Sequence, residues 1–246
     1  MVSRRTVRRD AVSVMARESW SWAEFAQLMT DRLFISPPKI GDGRPVLVLP
    51  GLFGNDWYLQ PLHSWLQRAG FRPVPSALWV NAGCPERLTV RVQRELERRT
   101  NGDEAPVAII GHSRGGMLGR ALAARLNGRV SHLVLLGSPV GAITAAAGSF
   151  TRPPSASGVA EASDRARSIL DPDCDVPYCG CPFPADLTRP LSSATQVVSI
   201  YSADDPIVPS SACPVPGANN IEVRGTHVGL ASNRAVYREL AKALAV

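Results

Sequence analysis

The chain has 246 residues, of which 45% are hydrophobic, 6% aromatic and 20% charged. This composition excludes a disordered chain, a fibrous repeat and a polytopic membrane protein, and the length suits one large α/β domain. The formal net charge is +6, and only two of the basic residues are lysines. We attribute the arginine bias first to coding preference, because a basic balance permits a polyanionic partner without requiring one.

The N-terminal residues are basic but lack the pattern of an export signal. Arginines stand at positions 4, 5, 8 and 9, and the uncharged stretch 11–16 that follows is short. No secretory signal is therefore predicted, and we expect a cytoplasmic protein. The longest uncharged window, 130–151, contains glycine and proline, so it predicts a strand and a loop and no stable membrane insertion. A solvated basic arm is favoured over a nucleic-acid-binding one.

The cysteines leave their pairing open. A structural disulfide between the cluster at 174–181 and Cys213 is one alternative, with one or more thiols left reduced. Zinc is disfavoured, because no histidine is near the cluster and its spacing is not a usual one for that metal. We therefore predict no metal site. The five cysteines are Cys84, Cys174, Cys179, Cys181 and Cys213.

In chain order, residues 1–15 are predicted to be a flexible arm and residues 18–34 an amphipathic helix packed on the body. Apolar runs then alternate with helical patterns, which indicates an α/β fold with a mostly parallel central sheet and helices on both faces. The predicted strands are 45–50, 72–80, 105–112, 130–139, 195–202 and 219–224. The predicted helices are 57–69, 85–100, 115–127 and 232–245.

One segment interrupts this alternation. Residues 140–194 are rich in alanine, proline, serine, glycine and cysteine. A long irregular segment inside a compact domain is usually functional or disordered, so we interpret it as a cap or lid insert. The predicted organisation is an N-terminal arm and helix over 1–43 and a domain over 44–246 that carries this insert.

The motif with the clearest chemistry is Gly111-His112-Ser113-Arg114-Gly115. The pattern G-x-S-x-G alone is weak, but here it stands between an apolar strand and a helix. That arrangement is typical of a nucleophile elbow, in which a tight turn exposes the serine oxygen above the sheet. Ser113 is therefore the predicted nucleophile.

A serine needs a positioned base, and His227 is the histidine that follows the last predicted strand and precedes the last helix. Asp205 is the predicted acid, because it ends a strand and gives the chain order Ser, Asp, His. Asp204 is the alternative to Asp205. The aspartates at positions 171, 173 and 175 are weaker candidates, because they lie on the insert.

The negative oxygen of a tetrahedral intermediate needs two N–H donors. We predict the backbone N–H of Arg114, directly after the serine, and that of Leu52, in the turn after the first strand. Phe53 is the second choice in that turn. The alternative is that residues 50–54 form only a glycine-rich turn.

Four stretches now support a family resemblance: VLVLPGLFGN, IIGHSRGGMLGRALA, SIYSADDPIV and VRGTHVGL. The chain resembles the α/β-hydrolase superfamily, in particular small bacterial lipases and esterases, over roughly 44–246 without the insert. The resemblance implies Asp205 as the acid and Gly51-Leu52 as the oxyanion turn. Pro50 stands where many relatives have histidine, and Arg114 where methionine or glutamine is common. Both departures are expected to alter the pocket wall.

The expected function is a serine hydrolase that cleaves small-molecule carboxylic esters without metal or cofactor. The pocket is predicted to include apolar residues of the insert as well as Phe53, Trp57, Tyr58 and Met117, although Trp57 and Tyr58 are equally compatible with a core or surface position. An acyltransferase or thioesterase on the same triad is the alternative, and a non-catalytic binding protein is less favoured. The sequence leaves the oligomeric state open.

Overall fold

In the computed structural model, which describes residues 13–101, 105–145, 159–174 and 181–245, the centre is a parallel sheet of order β2-β1-β3-β4-β5-β6. The strands are β1 (Pro45–Leu49), β2 (Arg72–Pro75), β3 (Val107–His112), β4 (Val130–Leu136), β5 (Gln196–Ser202) and β6 (Asn219–Val223). Each predicted strand is present, and the predicted parallel α/β fold is confirmed.

Helices follow or precede each strand. They are α1 (13–18), α2 (Ser21–Met29), α3 (Arg32–Ile35), α4 (Gln60–Arg68), α5 (Pro85–Arg99), α6 (Arg114–Arg125), α7 (Val140–Ala145), α8 (Val159–Leu170), α9 (Phe183–Thr188) and α10 (Arg234–Leu244). Short 3₁₀ turns occur at Ser210–Ala212 and Gly229–Ser232. Among the described helices, none is both long and apolar enough to cross a bilayer.

Side chains of the central strands alternate between two apolar cores. On β1, Val46 and Val48 face the core under α2, α4 and α10, whereas Leu47 and Leu49 face the core under α5, α6, α7 and α9. Both faces of the sheet are therefore covered. This explains why the strands are continuous apolar runs and do not alternate with polar residues.

The N-terminal region differs from the single predicted helix. Asp31 accepts a hydrogen bond from the Leu33 N–H at 2.9 Å and caps α3, so the chain breaks between α2 and α3. Leu28 is buried, but Trp20 and Trp22 are exposed. The prediction of one core-facing helix over 18–34 is thus wrong in its length and in its two tryptophans. Residues 1–12, which include the four arginines, lie outside the described part of the chain, and 13–15 belong to α1.

The segment predicted as one insert divides into parts with different environments. Ile143 of α7 and both Phe183 and Leu187 of α9 are buried in the second core. Residues 146–158 and 175–180, including Cys179, lie outside the described residues. Cys213 is a free, buried thiol, so among the described residues no bridge joins it to Cys174 or Cys181.

The topology places four loops at one edge of the sheet. Because all the strands are parallel, the chain leaves β1, β3, β5 and β6 at the same carboxyl edge. The chain order reverses direction between the adjacent strands β1 and β3, and such a switch point opens a crevice where ligands bind in α/β folds. The sequence motifs at Leu52, Ser113, Asp205 and His227 all follow these strands.

Candidate active site

Ser113 occupies a sharp turn between β3 and α6. Its backbone has φ 53° and ψ −123°, a conformation that residues other than glycine rarely adopt. The turn is tight because a Cβ on Gly111 would lie 2.5 Å from the Gly116 nitrogen, and a Cβ on Gly115 would collide with the Leu49 carbonyl. The two glycines of the motif thus let the strand and the helix meet closely enough to expose the serine hydroxyl.

The structure brings Ser113, His227 and Asp205 together in one hydrogen-bonded chain. His227 Nε2 lies 2.8 Å from Ser113 Oγ, and His227 Nδ1 lies 2.6 Å from Asp205 Oδ2. A carboxylate only accepts, so Nδ1 carries the proton and Nε2 accepts from the serine hydroxyl. This arrangement can transfer the serine proton to the imidazole.

Asp205 is held in place by backbone donors. Its Oδ1 accepts hydrogen bonds from the N–H groups of Ile207 and Val208, both at 2.8 Å, and its side chain is 1% exposed. The alternative acid, Asp204, is exposed, and its carbonyl accepts from Arg17 at 2.7 Å. The geometry therefore favours Asp205 over Asp204 as the partner of the histidine.

The turn after β1 lies against the serine. A Cβ on Gly51 would be 3.2 Å from Ser113 Cβ. The Phe53 N–H donates to the Asn81 carbonyl at 3.1 Å, so this second-choice donor is already occupied. Among the described residues, the backbone N–H groups of Leu52 and Arg114 have no such acceptor. Both N–H groups are therefore free to donate in the predicted role of oxyanion donors.

His112 links that turn to the loop that carries His227 (residues 224–228), which we call the histidine loop. Its place inside the sequence motif does not indicate this role. Its Nε2 donates to the His227 carbonyl at 2.9 Å, which leaves Nδ1 to accept from Tyr58 Oη, also at 2.9 Å. The same tyrosine oxygen accepts from the Gly51 N–H at 2.7 Å. Burial lowers the pKa of His112 to about 3, so the ring stays neutral and its tautomer is defined by these partners.

An apolar cavity of about 580 Å³ opens above Ser113. Of the predicted pocket residues, Phe53 and Tyr58 line it together with Leu52. Trp57 and Met117 do not: Trp57 is 82% exposed on the surface, and Met117 packs against the second core. The remaining lining residues come from several segments: Val14, Met15, Gly51, Gly54, His112, Ser113, Val159, Ala162, Ile207, His227 and Val228.

The Arg114 side chain turns away from this cavity. Its Nη2 donates to the Gly83 carbonyl at 2.6 Å, and burial lowers its pKa to about 10. The expectation that this arginine alters the pocket wall is therefore wrong, although its backbone N–H remains beside the serine. The Pro50 carbonyl accepts from Asn81 Nδ2 at 2.6 Å, so Asn81 braces the turn after β1 from two sides.

Two glutamates of the N-terminal helices hold the loop that carries His227. Glu18 accepts from the N–H groups of His227 and Val228, and Glu24 accepts from the Thr226 hydroxyl. Sequence reasoning missed both, because nothing in the local pattern indicates a partner some 200 positions away along the chain. Within the described residues, no cluster of histidine, cysteine, aspartate or glutamate could hold a metal ion.

The chain is similar to known hydrolases in fold. A family model described as the alpha/beta hydrolase fold matches residues 87–167. A metagenomic carboxyl esterase aligns at 12% identity, over 82% of this chain and 75% of that chain, with a TM-score of 0.54. A Bacillus licheniformis lipase aligns at 11% identity, over 83% and 93%, with a TM-score of 0.54.

A pyrethroid hydrolase from Sphingobium faniae aligns at 16% identity, over 82% of this chain and 96% of that chain, with a TM-score of 0.51. No curated protein sequence matches the chain. The family-model match and these structural likenesses identify its architecture as the α/β-hydrolase fold.

Proposed function

We propose that this chain, a member of the α/β-hydrolase superfamily, is a serine hydrolase that cleaves carboxylic esters. The observation that carries the proposal is the hydrogen-bonded chain from Asp205 through His227 to Ser113 at the base of an apolar cavity. The similar structures include proteins named as a carboxyl esterase, a lipase and a pyrethroid hydrolase, and these names favour ester hydrolysis.

In the acylation step, Ser113 Oγ attacks the ester carbonyl carbon while its proton moves to His227 Nε2. Asp205 accepts from Nδ1 and stabilises the imidazolium that forms. The N–H groups of Leu52 and Arg114 donate to the negative oxygen of the tetrahedral intermediate. The imidazolium then protonates the leaving alkoxide, and the carbon–oxygen bond breaks to release the alcohol.

In the deacylation step, His227 removes a proton from water, and the hydroxide attacks the acyl-enzyme. The second tetrahedral intermediate collapses, Ser113 regains its proton from the imidazolium, and the carboxylic acid leaves. Each step uses only side chains, backbone N–H groups and water, so the cycle needs no metal or cofactor.

The lining of the cavity favours an apolar acyl group as substrate. Its volume of about 580 Å³ falls within the range of roughly 300–1,000 Å³ that is usual for small-molecule sites. Beyond the serine, the histidines and the tyrosine, the wall is made of glycine, alanine and apolar side chains. An apolar acyl chain gains the transfer free energy of burial there, at about 0.8 kcal/mol per methylene.

The test is covalent labelling of the wild-type protein by a fluorophosphonate probe, combined with hydrolysis of p-nitrophenyl esters. Ser113→Ala should abolish labelling and lower kcat on the order of 10⁶-fold, since the nucleophile is lost. A folded wild-type protein that neither labels nor cleaves any ester contradicts the proposal.

An acyl-chain-length series with soluble and emulsified esters and with thioesters then separates the related activities. Preference for thioesters, or acyl transfer to an added alcohol faster than hydrolysis, would replace ester hydrolysis by thioesterase or acyltransferase activity on the same residues.

A further inference from the structure

The backbone of His227 is bound by a carboxylate from the N-terminal segment. Glu18 Oε1 accepts from the His227 N–H at 2.8 Å, and Glu18 Oε2 accepts from the Val228 N–H at 2.9 Å. Both oxygens of one carboxylate therefore hold two successive residues of the histidine loop. Bonds from N–H groups to an ionised acceptor are stronger than those between neutral groups.

The same segment holds the rest of that loop. Glu24 Oε2 accepts from Thr226 Oγ1 at 2.6 Å, and its Oε1 accepts from Asn233 Nδ2 at 2.6 Å. The loop packs so closely that a Cβ on Gly229 would collide with the Glu24 carboxylate. Helices α1 and α2 thus hold the loop in place, and we call these two helices the clamp. Glu18 is the clamp residue that binds His227, the proposed base.

Burial of Glu18 is partial and is compensated by these bonds. Desolvation raises the pKa of its carboxyl group, whereas the N–H groups of Val228 and His227 lower it. Burial of a carboxylate costs free energy unless the group is hydrogen-bonded. The two bonds that Glu18 accepts both come from the histidine loop.

We infer that Glu18 is a positioning residue for His227, an inference that rests on the proposed function. Through the two N–H bonds it keeps Nε2 within reach of Ser113 Oγ, 2.8 Å away. Displacement of a catalytic group by about 1 Å lowers the rate on the order of 100-fold. The clamp also shapes the site, because Val14 and Met15 of α1 line the cavity beside Val228.

The experiment compares wild type with Glu18→Ala, Glu18→Gln and the control Glu239→Ala. Glu239 pairs with Lys242 three residues along α10, and its bond is to that lysine and not to the loop that carries His227. Rates are measured with p-nitrophenyl acetate and expressed per serine titrated by the fluorophosphonate probe, so that unfolded molecules are not counted.

We expect Glu18→Ala to lower kcat by about 100-fold with KM changed less than about threefold, since the serine and the cavity remain while the base is misplaced. Glu18→Gln, which keeps one acceptor oxygen, should recover part of the loss, to about 10-fold below wild type. Glu239→Ala should match wild type. Equal kcat per titrated serine in wild type and Glu18→Ala overturns the inference, because Glu18 is then merely structural.

A second readout does not depend on activity. The His227 Nδ1 proton, bonded to Asp205 at 2.6 Å, should give a downfield proton resonance in wild type and in Glu239→Ala. We expect this resonance to be lost by exchange or shifted in Glu18→Ala. An unchanged resonance contradicts the positioning role of Glu18. If wild type is inactive but the resonance still responds, the proposed function fails and the positioning role stands.

Discussion

Asp204 and Asp205 are adjacent in sequence but lie in opposite environments. Asp205 is buried against His227 and receives two backbone N–H bonds, whereas Asp204 is exposed. A buried carboxylate of this kind defines the tautomer of its histidine, and an exposed one does not. The two residues differ because the Asp205 carboxylate, and not that of Asp204, is bonded to His227 Nδ1.

We expect Asp205→Asn to lower kcat on the order of 10⁴-fold, because the amide presents the wrong partner to Nδ1 and disfavours the imidazolium. Asp204→Asn should stay within about twofold of wild type, because its side chain is exposed. Ester hydrolysis by the two purified variants checks this. Retained activity in Asp205→Asn with loss in Asp204→Asn would reverse the assignment of the acid.

At the scale of elements, the site depends on how closely α6 approaches β1 and β3. Gly115 and Gly119 face the strands at distances that leave no room for a larger residue: a Cβ on Gly119 would lie 2.9 Å from Ile109 Cγ2. The first turn of α6 therefore sits directly over the carboxyl end of β1. This brings the turn after β1 to the serine.

Gly115→Ala should lower the free energy of unfolding by about 3 kcal/mol or more, because the added methyl group collides with the backbone of β1. Gly217→Ala is the matched control: its φ is +75°, but nothing lies within 4 Å, so only backbone strain of about 1–2 kcal/mol is expected. Urea denaturation measures both. A smaller loss at Gly115 than at Gly217 would contradict the packing argument.

Two ion pairs that share Arg125 join three helices on one face of the sheet. Arg125 of α6 bonds Asp186 of α9 at 2.7 Å and also contacts Glu86 of α5. Asp186 is 1% exposed, so its charge depends on Arg125 and on Arg189, which pairs with its other carboxylate oxygen at 2.9 Å. These contacts tie α9, near the end of the 140–194 segment, to α5 and α6.

Arg125→Ala should destabilise the fold by about 3 kcal/mol, because it removes a buried partner of Asp186 and leaves that carboxylate with Arg189, which is half-exposed. Arg98→Ala removes an exposed pair with Glu95 on α5 and should cost less than about 1 kcal/mol. Thermal or urea unfolding distinguishes the two. Equal effects would mean that the buried pair contributes no more than a surface one.

The whole molecule carries several histidines that are buried as neutral rings. Burial lowers the pKa of His112 to about 3 from its ordinary 6.5, and it lowers the pKa values of His63 and His132 as well. Below pH 6.5 the unfolded chain therefore binds protons that the folded chain does not. The stability from these neutral rings is present above pH 6.5 and is lost as the pH falls toward their folded values.

We expect the free energy of unfolding to decrease between pH 7.5 and pH 5, by up to about 1.4 kcal/mol per pH unit for each such histidine. The raised pKa of Glu18 acts in the opposite direction near the acidic end. His112→Gln cannot titrate, so its slope should be shallower than that of wild type whatever its absolute stability. Urea unfolding at several pH values measures the slopes; an equal slope in both proteins argues against a neutral His112.

Much of the fold could be predicted because its cause is local. The apolar runs at 45–49 and 107–112 are bounded by turn residues and need two covered faces, so they indicate buried parallel strands. Gly111 and Gly115 could be predicted for the same reason, because few residue types fit the tight turn around Ser113. The helix at 18–34 was predicted too long, because the break at Asp31 depends on a side-chain cap that periodicity does not register.

The pocket was harder to predict, because its wall is assembled from distant segments. Trp57 follows the turn after β1 in sequence yet lies on the surface, and Met117 follows the turn at Ser113 yet packs in the core. Val14 lines the cavity from the N-terminal segment, which was not predicted, whereas Val159 belongs to the insert whose apolar residues were predicted to line it. Position near a motif therefore does not establish position near the serine.

The order of strands, motifs and chemical groups could be read from the amino acids themselves, because apolar burial and backbone sterics act over a few neighbouring residues. The partners of the histidine loop could not. Glu18 reaches His227 across 209 positions of sequence, and His112 reaches the same loop across 115. Such contacts are selected by the packing of the completed chain, since a carboxylate binds whichever N–H groups the fold leaves unpaired beside it.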